Sequence, residues 1–143
     1  MRGRILGIDY GRKRIGLALS DETATIASPI GYILNKGAKK NIPAFRDLVI
    51  KHNIKSIMLG MPYHADGRES EMAAEVKSLG ELLGAEFGLP VVYFDERYST
   101  KCAEEHIRNN LGIRNPKKVA ELIDTTAASM LLLEYIQRGE NVR

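Results

Sequence analysis

The sequence has little cysteine and little histidine, and these shortages narrow the kinds of protein it can be. The single cysteine, Cys102, excludes an internal disulfide. One cysteine and three scattered histidines argue against a zinc site, which needs three or four ligands gathered in space. No stretch approaches the roughly 18 to 20 apolar residues of a membrane span, and the basic N-terminus lacks the apolar run of a signal peptide. We therefore expect a cytoplasmic protein that does not bind membranes.

The positive charge of the chain is small overall but concentrated locally. The 143 residues are 44% apolar and 27% charged, with a net charge of +3, as expected for one globular domain covering 1–143. Basic side chains form three groups, at 12–14, at Lys36, Lys39 and Lys40, and at 117–118. Such groups attract nucleic-acid phosphates by screened Coulomb interaction. The alternative is a set of solvated loops with no nucleic-acid contact.

The spacing of apolar residues predicts an α/β domain. Three strands with short connections come first and favour an antiparallel meander, after which strands alternate with helices and favour parallel pairing. The predicted fold is a mixed sheet, antiparallel at one edge and parallel in the middle, flanked by helices. The predicted strands cover 4–9, 14–20, 30–34, 56–59 and 91–94, and the predicted helices cover 42–51, 69–87, 99 or 100 to 111, and 116–139.

Four acids occupy positions where an unpaired charge would be costly. Asp9 follows the first apolar strand, Asp95 and Glu96 follow the last, and Asp124 shares a helix face with small alanines. Carboxylates converging from separate elements are the ligands Mg²⁺ prefers. Asp95 and Glu96 should point to opposite sides of their strand, so we expect one of them to join Asp9. The alternatives are a turn acid at Asp9 and surface ion pairs for the others.

Two glycines, Gly7 and Gly11, flank Asp9 in GIDYG. They predict space for a phosphate or metal to approach the backbone. The same spacing is typical of phosphate loops in sugar kinases and chaperone ATPases. An actin-like ATPase fragment is therefore one alternative, although 143 residues leave no room for the two duplicated domains that such enzymes use.

Four motifs in order resemble the YqgF (RuvX) family of the RNase H-like superfamily. They are GIDYGRKRIGLALSD at 7–21, GMPYHADGRES at 60–70, VYFDERYST at 92–100 and IDTTAASMLLLEYI at 123–136. The resemblance covers nearly the whole chain. Three positions depart from the usual family residues, namely Met61, Tyr98 and Ser99.

The resemblance implies an RNase H-like fold with a five-stranded mixed sheet and a nuclease activity. The implied substrate is a Holliday junction or the 5′ end of pre-16S ribosomal RNA. Asp9, Glu96 and Asp124 are the implied catalytic and metal-binding acids, with Asp95 in reserve, and one or two Mg²⁺ or Mn²⁺ ions are the implied cofactor. Such ions activate water for attack on a phosphodiester.

We expect basic side chains around these acids to hold the nucleic acid by phosphate contacts. The loop at 61–68 either contacts sugar and bases or is a plain surface loop.

A junction resolvase would work as a dimer, whereas RNA processing needs no such symmetry, so a monomer and a weak homodimer both stay open. A non-catalytic regulator of transcription or the ribosome is the third alternative. The predicted nucleic-acid contacts are Arg12, Lys13, Arg14, Arg68, Arg97 and Lys101.

Overall fold

A five-stranded sheet organises the part of the chain that the structure describes. The computed structural model describes residues 3–96, 112 and 114–139, without the side chains at 117–125 and 139. No helix in these ranges is both long and apolar enough to cross a membrane. The strands are β1 (Arg4–Asp9), β2 (Arg14–Ser20), β3 (Ala27–Leu34), β4 (Ile54–Met61) and β5 (Val91–Asp95), and the helices are α1 (Ile42–His52), α2 (Ala73–Phe87) and α3 (Pro116–Gly139).

The order of the strands across the sheet is β3-β2-β1-β4-β5. The first strand pairs antiparallel with β2 and parallel with β4, and β4 pairs parallel with β5. This confirms the predicted sheet, antiparallel on one side and parallel on the other. It also makes β1 the central strand, so Asp9 lies at the middle of one end of the sheet.

Helices cover both faces of the sheet. Leu6 and Ile8 of β1 belong to a core shared with Phe45 of α1 and with apolar residues of α2. On the opposite face, Ile5 belongs to a smaller core with Leu132 of α3. Because apolar side chains of β1 are buried on both faces, the strand reads as a nearly continuous apolar run.

Three strands are longer than predicted, and for β5 the difference is the single residue Asp95. β3 starts at Ala27 instead of residue 30, since an edge strand tolerates Pro29. A bulge is placed there as well, because Leu17 pairs with Gly31 whereas Ala18 pairs with Pro29. β4 extends to both sides of the predicted 56–59.

The second helix is shorter than predicted, starting at Ala73 instead of residue 69. Glu69 forms a β-bridge with Tyr63, and the N–H of Ser70 donates to the carbonyl of Pro62 at 2.9 Å. These backbone bonds hold 69–70 in the preceding loop. The helix predicted from 99 or 100 to 111 lies outside the described residues.

Asp21 organises the turn between β2 and β3. Its carboxylate accepts hydrogen bonds from the backbone N–H groups of Thr25 and Ile26, both at 2.8 Å, and from the hydroxyls of Thr23 and Thr25. These bonds, the one from Thr23 foremost, hold the pKa of the Asp21 carboxyl well below its usual range. The folded state is therefore stabilised by the ionised form of this side chain.

We expect Asp21→Ala to lower the melting temperature at pH 7 by about 2–4 °C, because two backbone donors lose their acceptor. A depressed folded-state pKa stabilises the protein above the unfolded-state pKa of about 3.9, and this stabilisation is lost as the pH falls further. The difference between wild type and variant should therefore shrink between pH 4 and pH 2. Thermal unfolding across that range measures it, with Glu22→Gln as the charge control. A difference that stays constant below pH 4 would contradict the assignment.

Candidate active site

Asp9 ends the central strand and projects from the face that α3 covers. Side chains alternate across a strand, so Gly7 and Asp9 share one face while Leu6 and Ile8 face the core under α1 and α2. Gly7 identifies the face, because a Cβ at this position would lie 3.0 Å from the Cβ of Leu132 in α3. Asp9 is thus placed between the end of the sheet and α3.

Glu96 follows β5 and returns to the same face. Its backbone N–H donates to the carbonyl of Met61 at 3.2 Å, which continues the pairing between β4 and β5. Two residues earlier, Phe94 packs edge-on against Tyr135 of α3, with the ring centroids 5.6 Å apart. Alternation along the strand therefore puts Glu96 on the α3 face together with Asp9.

The carboxyl groups of Asp9 and Glu96 lie close enough together to interact. The Oε2 atom of Glu96 is buried, and burial is the main reason that the pKa of Glu96 is raised. The interaction with Asp9 opposes this rise in the pKa, and the charge of Asp95 adds to it. Two carboxylates at close range repel each other when both are ionised. The pair thus concentrates negative charge that a proton or a hard cation must compensate.

Asp95 is adjacent to this pair in sequence but lies on the other side of its strand. It is the last residue of β5, and alternation directs it away from the face of Phe94 and Glu96. Its influence on Glu96 is electrostatic, through like-charge repulsion that raises the Glu96 pKa. The structure therefore places Glu96, and not Asp95, beside Asp9.

Residue 124 lies in α3 on the helix face that packs against the sheet. Ala127, Ala128 and Leu131 are buried, and they follow residue 124 by three, four and seven positions, the spacing of one helix face. The side chain of Asp124 lies outside the described residues, so its role as a ligand stays a prediction. Among the described side chains, no three acids, histidines or cysteines gather into a metal site. The described part of the candidate site is therefore the pair of Asp9 and Glu96.

Gly60 makes room for the side chain of Glu96, a role that was not predicted from the sequence. It lies one residue before the end of β4, opposite Phe94, in the strand between those that carry Asp9 and Glu96. A Cβ on Gly60 would collide with the Glu96 carboxyl and lie 2.5 Å from Cδ2 of Leu131. The missing side chain lets Glu96 lie across β4 toward Asp9. The available signal was a glycine near the end of an otherwise buried strand.

The two glycines beside Asp9 have a packing role. Leu132 occupies the space next to Gly7, as described above. A Cβ on Gly11 would collide with the carbonyl oxygen of Arg14, so this glycine permits the tight turn between β1 and β2. Protein atoms therefore occupy the space where a side chain would stand at these two positions, and the approach of a phosphate or metal to the backbone stays a prediction.

Arg12 connects the β1–β2 turn to α2 through an ion pair with Glu75. Its Nε and Nη2 atoms donate to Oε2 of Glu75 at 3.0 and 2.9 Å, and the hydroxyl of Tyr10 donates to Oε1 of Glu75 at 3.1 Å. The hydrogen bonds and charge of Glu75 raise the pKa of Arg12. A phosphate would have to compete with this carboxylate for the guanidinium group.

The other basic residues predicted to bind nucleic acid differ in their exposure and in the groups they contact. Lys13 is exposed on the turn beside Asp9. The guanidinium of Arg14 lies over the ring of Tyr32, 5.6 Å from its centroid. Two further predicted contacts lie outside the described residues, namely Arg97 and Lys101.

The loop after β4 forms a small exposed hairpin. Tyr63 bridges Glu69, and the N–H of His64 donates to the carbonyl of Arg68 at 2.7 Å. Arg68 is also paired with Asp66, with 2.6 Å between Nε and Oδ2. The Arg68 side chain remains largely exposed despite this ion pair.

Comparison with known proteins connects this arrangement to a family. The model of the RuvX family, described as Holliday junction resolvase, matches residues 3–138. A protein of Chloroflexus aggregans named "putative pre-16S rRNA nuclease" is 36% identical over 96% of this chain and 95% of its own length. A protein of Caldanaerobacter subterraneus subsp. tengcongensis with the same name is 32% identical over 96% of this chain and 99% of its own.

Two solved structures of resolvases have a similar fold but a distant sequence. RuvC of T. thermophilus in complex with a Holliday junction substrate has a TM-score of 0.56 at 17% identity and covers 96% of both chains. The yeast mitochondrial Holliday junction resolvase Ydc2 has a TM-score of 0.58 at 14% identity, over 99% of this chain and 82% of its own. These similarities confirm the predicted RNase H-like fold.

Proposed function

The chain belongs to the RuvX family, and from this we propose that it is a metal-dependent endonuclease that processes the 5′ end of pre-16S ribosomal RNA. Relatives that align over nearly their whole length carry the name of a pre-16S rRNA nuclease, which favours this substrate. The observation that carries the proposed chemistry is the pair of Asp9 and Glu96, which brings two acids together from the central and an edge strand.

The donor set fits a hard divalent cation. Asp9, Glu96 and Asp124 would hold one or two Mg²⁺ or Mn²⁺ ions through carboxylate oxygens. When bound, the metal would act as a Lewis acid that activates water and stabilises the charge on the phosphate. The protein itself positions the metal ligands, because packing around the Glu96 side chain limits its conformations before a metal or substrate binds. Lys13, on the turn after Asp9, and Arg14, at the start of β2, add positive charge for the phosphates beside the cleaved bond.

Cleavage of Holliday junctions is the second candidate function. The family model is described by that activity, and the fold is shared with junction resolvases. A resolvase must cut two strands symmetrically, which requires two active sites in a dimer. The solution mass therefore separates the two functions, since a monomer that cleaves RNA has no need of the symmetry.

The test compares cleavage of a precursor 16S rRNA fragment with cleavage of a four-way DNA junction by the purified wild-type protein. We expect Mn²⁺-dependent cleavage of the RNA near the mature 5′ end, and cleavage of the junction only would favour the resolvase. Calorimetric titration with Mn²⁺ provides an independent readout of the site. Absence of both Mn²⁺ binding and cleavage would contradict a metal-dependent nuclease and favour a non-catalytic nucleic-acid-binding protein.

A further inference from the structure

Three lysines lie at the same end of the sheet as Asp9. Lys36, Lys39 and Lys40 are exposed in the connection between β3 and α1. β1 and β3 both run antiparallel to β2, so their C-terminal ends lie at one end of the sheet. The lysines therefore follow the end of β3, while Asp9 marks the end of β1.

Hydrogen bonds fix this lysine-bearing connection to the turn beside Asp9. The side chain of Asn41, which is 3% exposed, accepts from the N–H of Lys36 at 2.9 Å and donates to Oδ1 of Asn35 at 3.0 Å. Asn35 in turn donates its backbone N–H to the carbonyl of Lys13 at 2.9 Å and its side-chain amide to the carbonyl of Gly11 at 3.0 Å. A surface charge on this segment is thus held at a defined place relative to the candidate site.

Unlike several other basic residues, these lysines form no ion pairs with acids among the described residues. In the described ranges, ion pairs occupy Arg12, Arg46, Arg68, Lys77 and Arg138. The three lysines take part in none of the ion pairs between described residues. Lys36 and Lys40 border an open hollow of about 460 Å³, which Asp47 also lines.

We propose that Lys36, Lys39 and Lys40, here called the lysine strip, contact the phosphate backbone of the substrate away from the cleaved bond. The inference rests on the proposed function and adds a second contact surface to it. Two strand spacings separate β1 from β3, which is about 10 Å. Since phosphates of one duplex strand are about 3.4 Å apart along the axis, the strip would meet the backbone roughly three nucleotides from the bond beside Asp9.

The strip makes a quantitative prediction about salt dependence. Each phosphate contact that is lost reduces the slope of log affinity against log salt by about 0.9 on duplex DNA. We expect Lys36→Gln/Lys40→Gln to reduce that slope by about 1.8. The matched control, Lys51→Gln/Lys55→Gln, removes the same charge from exposed lysines at the opposite end of the sheet and should leave the slope unchanged.

The measurement is fluorescence anisotropy of a labelled four-way DNA junction and a labelled precursor 16S rRNA stem, without metal, from about 50 to 200 mM salt. Thermal unfolding confirms that both variants fold. Equal slopes for the two double variants would overturn the proposal, as would wild-type binding that does not depend on salt. If the slopes differ as expected but the wild type cleaves neither substrate, the lysine strip stands and the proposed nuclease function fails.

Discussion

Replacing Asp9 with asparagine is expected to remove metal-dependent cleavage while leaving the protein folded. Asparagine has nearly the same shape as aspartate but offers one neutral oxygen in place of a charged carboxylate. Loss of a partner that only orients a metal ligand already costs about 10- to 100-fold, so loss of a direct ligand should reduce cleavage by at least roughly 100-fold. Single-turnover cleavage in Mn²⁺ measures the effect.

Asp9→Asn also has a readout that does not depend on cleavage. A ligand that binds only the folded protein stabilises it, by about 2.7 kcal/mol at 100 times its dissociation constant. Mn²⁺ should therefore raise the melting temperature of the wild type and have little effect on Asp9→Asn. Glu81→Gln, which removes one negative charge from the exposed surface of α2, should behave like the wild type in both assays. Full cleavage by Asp9→Asn would show that the site lies elsewhere.

The fold was predictable where a local pattern decides the structure. β1 and β2 have the predicted bounds because the change from apolar to polar residues at the end of each strand is visible in the local sequence. β3 and α2 differ from the prediction because a partner decides where each starts. Pro29 is tolerated in β3 only because that strand lies at the edge of the sheet, and 69–70 stay out of α2 because their backbones bond to the loop at 62–63.

The candidate site was likewise predictable only where the local sequence decides its structure. A carboxylate after an apolar strand is visible in the sequence, and alternation predicted that only one of Asp95 and Glu96 would reach Asp9; which of them binds a metal stays a prediction. The ion pair between Arg12 and Glu75 joins residues 63 positions apart, and no periodicity predicts it. A basic residue next to Asp9 was therefore expected to be available for phosphate, although a helix distant in sequence already engages it.

Gly60 is the residue whose change should reveal how far packing controls the site. In Gly60→Ala, the added Cβ would collide with the Glu96 carboxyl and lie 2.5 Å from Cδ2 of Leu131. Adding a methyl group to a tightly packed position costs about 1–3 kcal/mol of the free energy of unfolding. Because Glu96 must move away from Asp9 to make room, we also expect weaker Mn²⁺ binding and cleavage reduced by at least about tenfold. Chemical denaturation and Mn²⁺ calorimetry measure the two effects.

Two further variants separate the placement of Glu96 from stability alone. In Gly84→Ala, the Cβ would lie 3.4 Å from Cγ2 of Val91, an ordinary contact. Since this glycine is inside α2, the variant should gain up to about 1 kcal/mol and keep its activity. Leu131→Ala should lose about 2–5 kcal/mol but retain Mn²⁺ binding below its melting temperature, because Glu96 keeps its place over Gly60. If Gly60→Ala binds Mn²⁺ as well as Leu131→Ala does, the close approach at Gly60 does not position Glu96. If only Gly60→Ala loses the metal, a glycine in β4 controls a site whose acids lie on β1 and after β5.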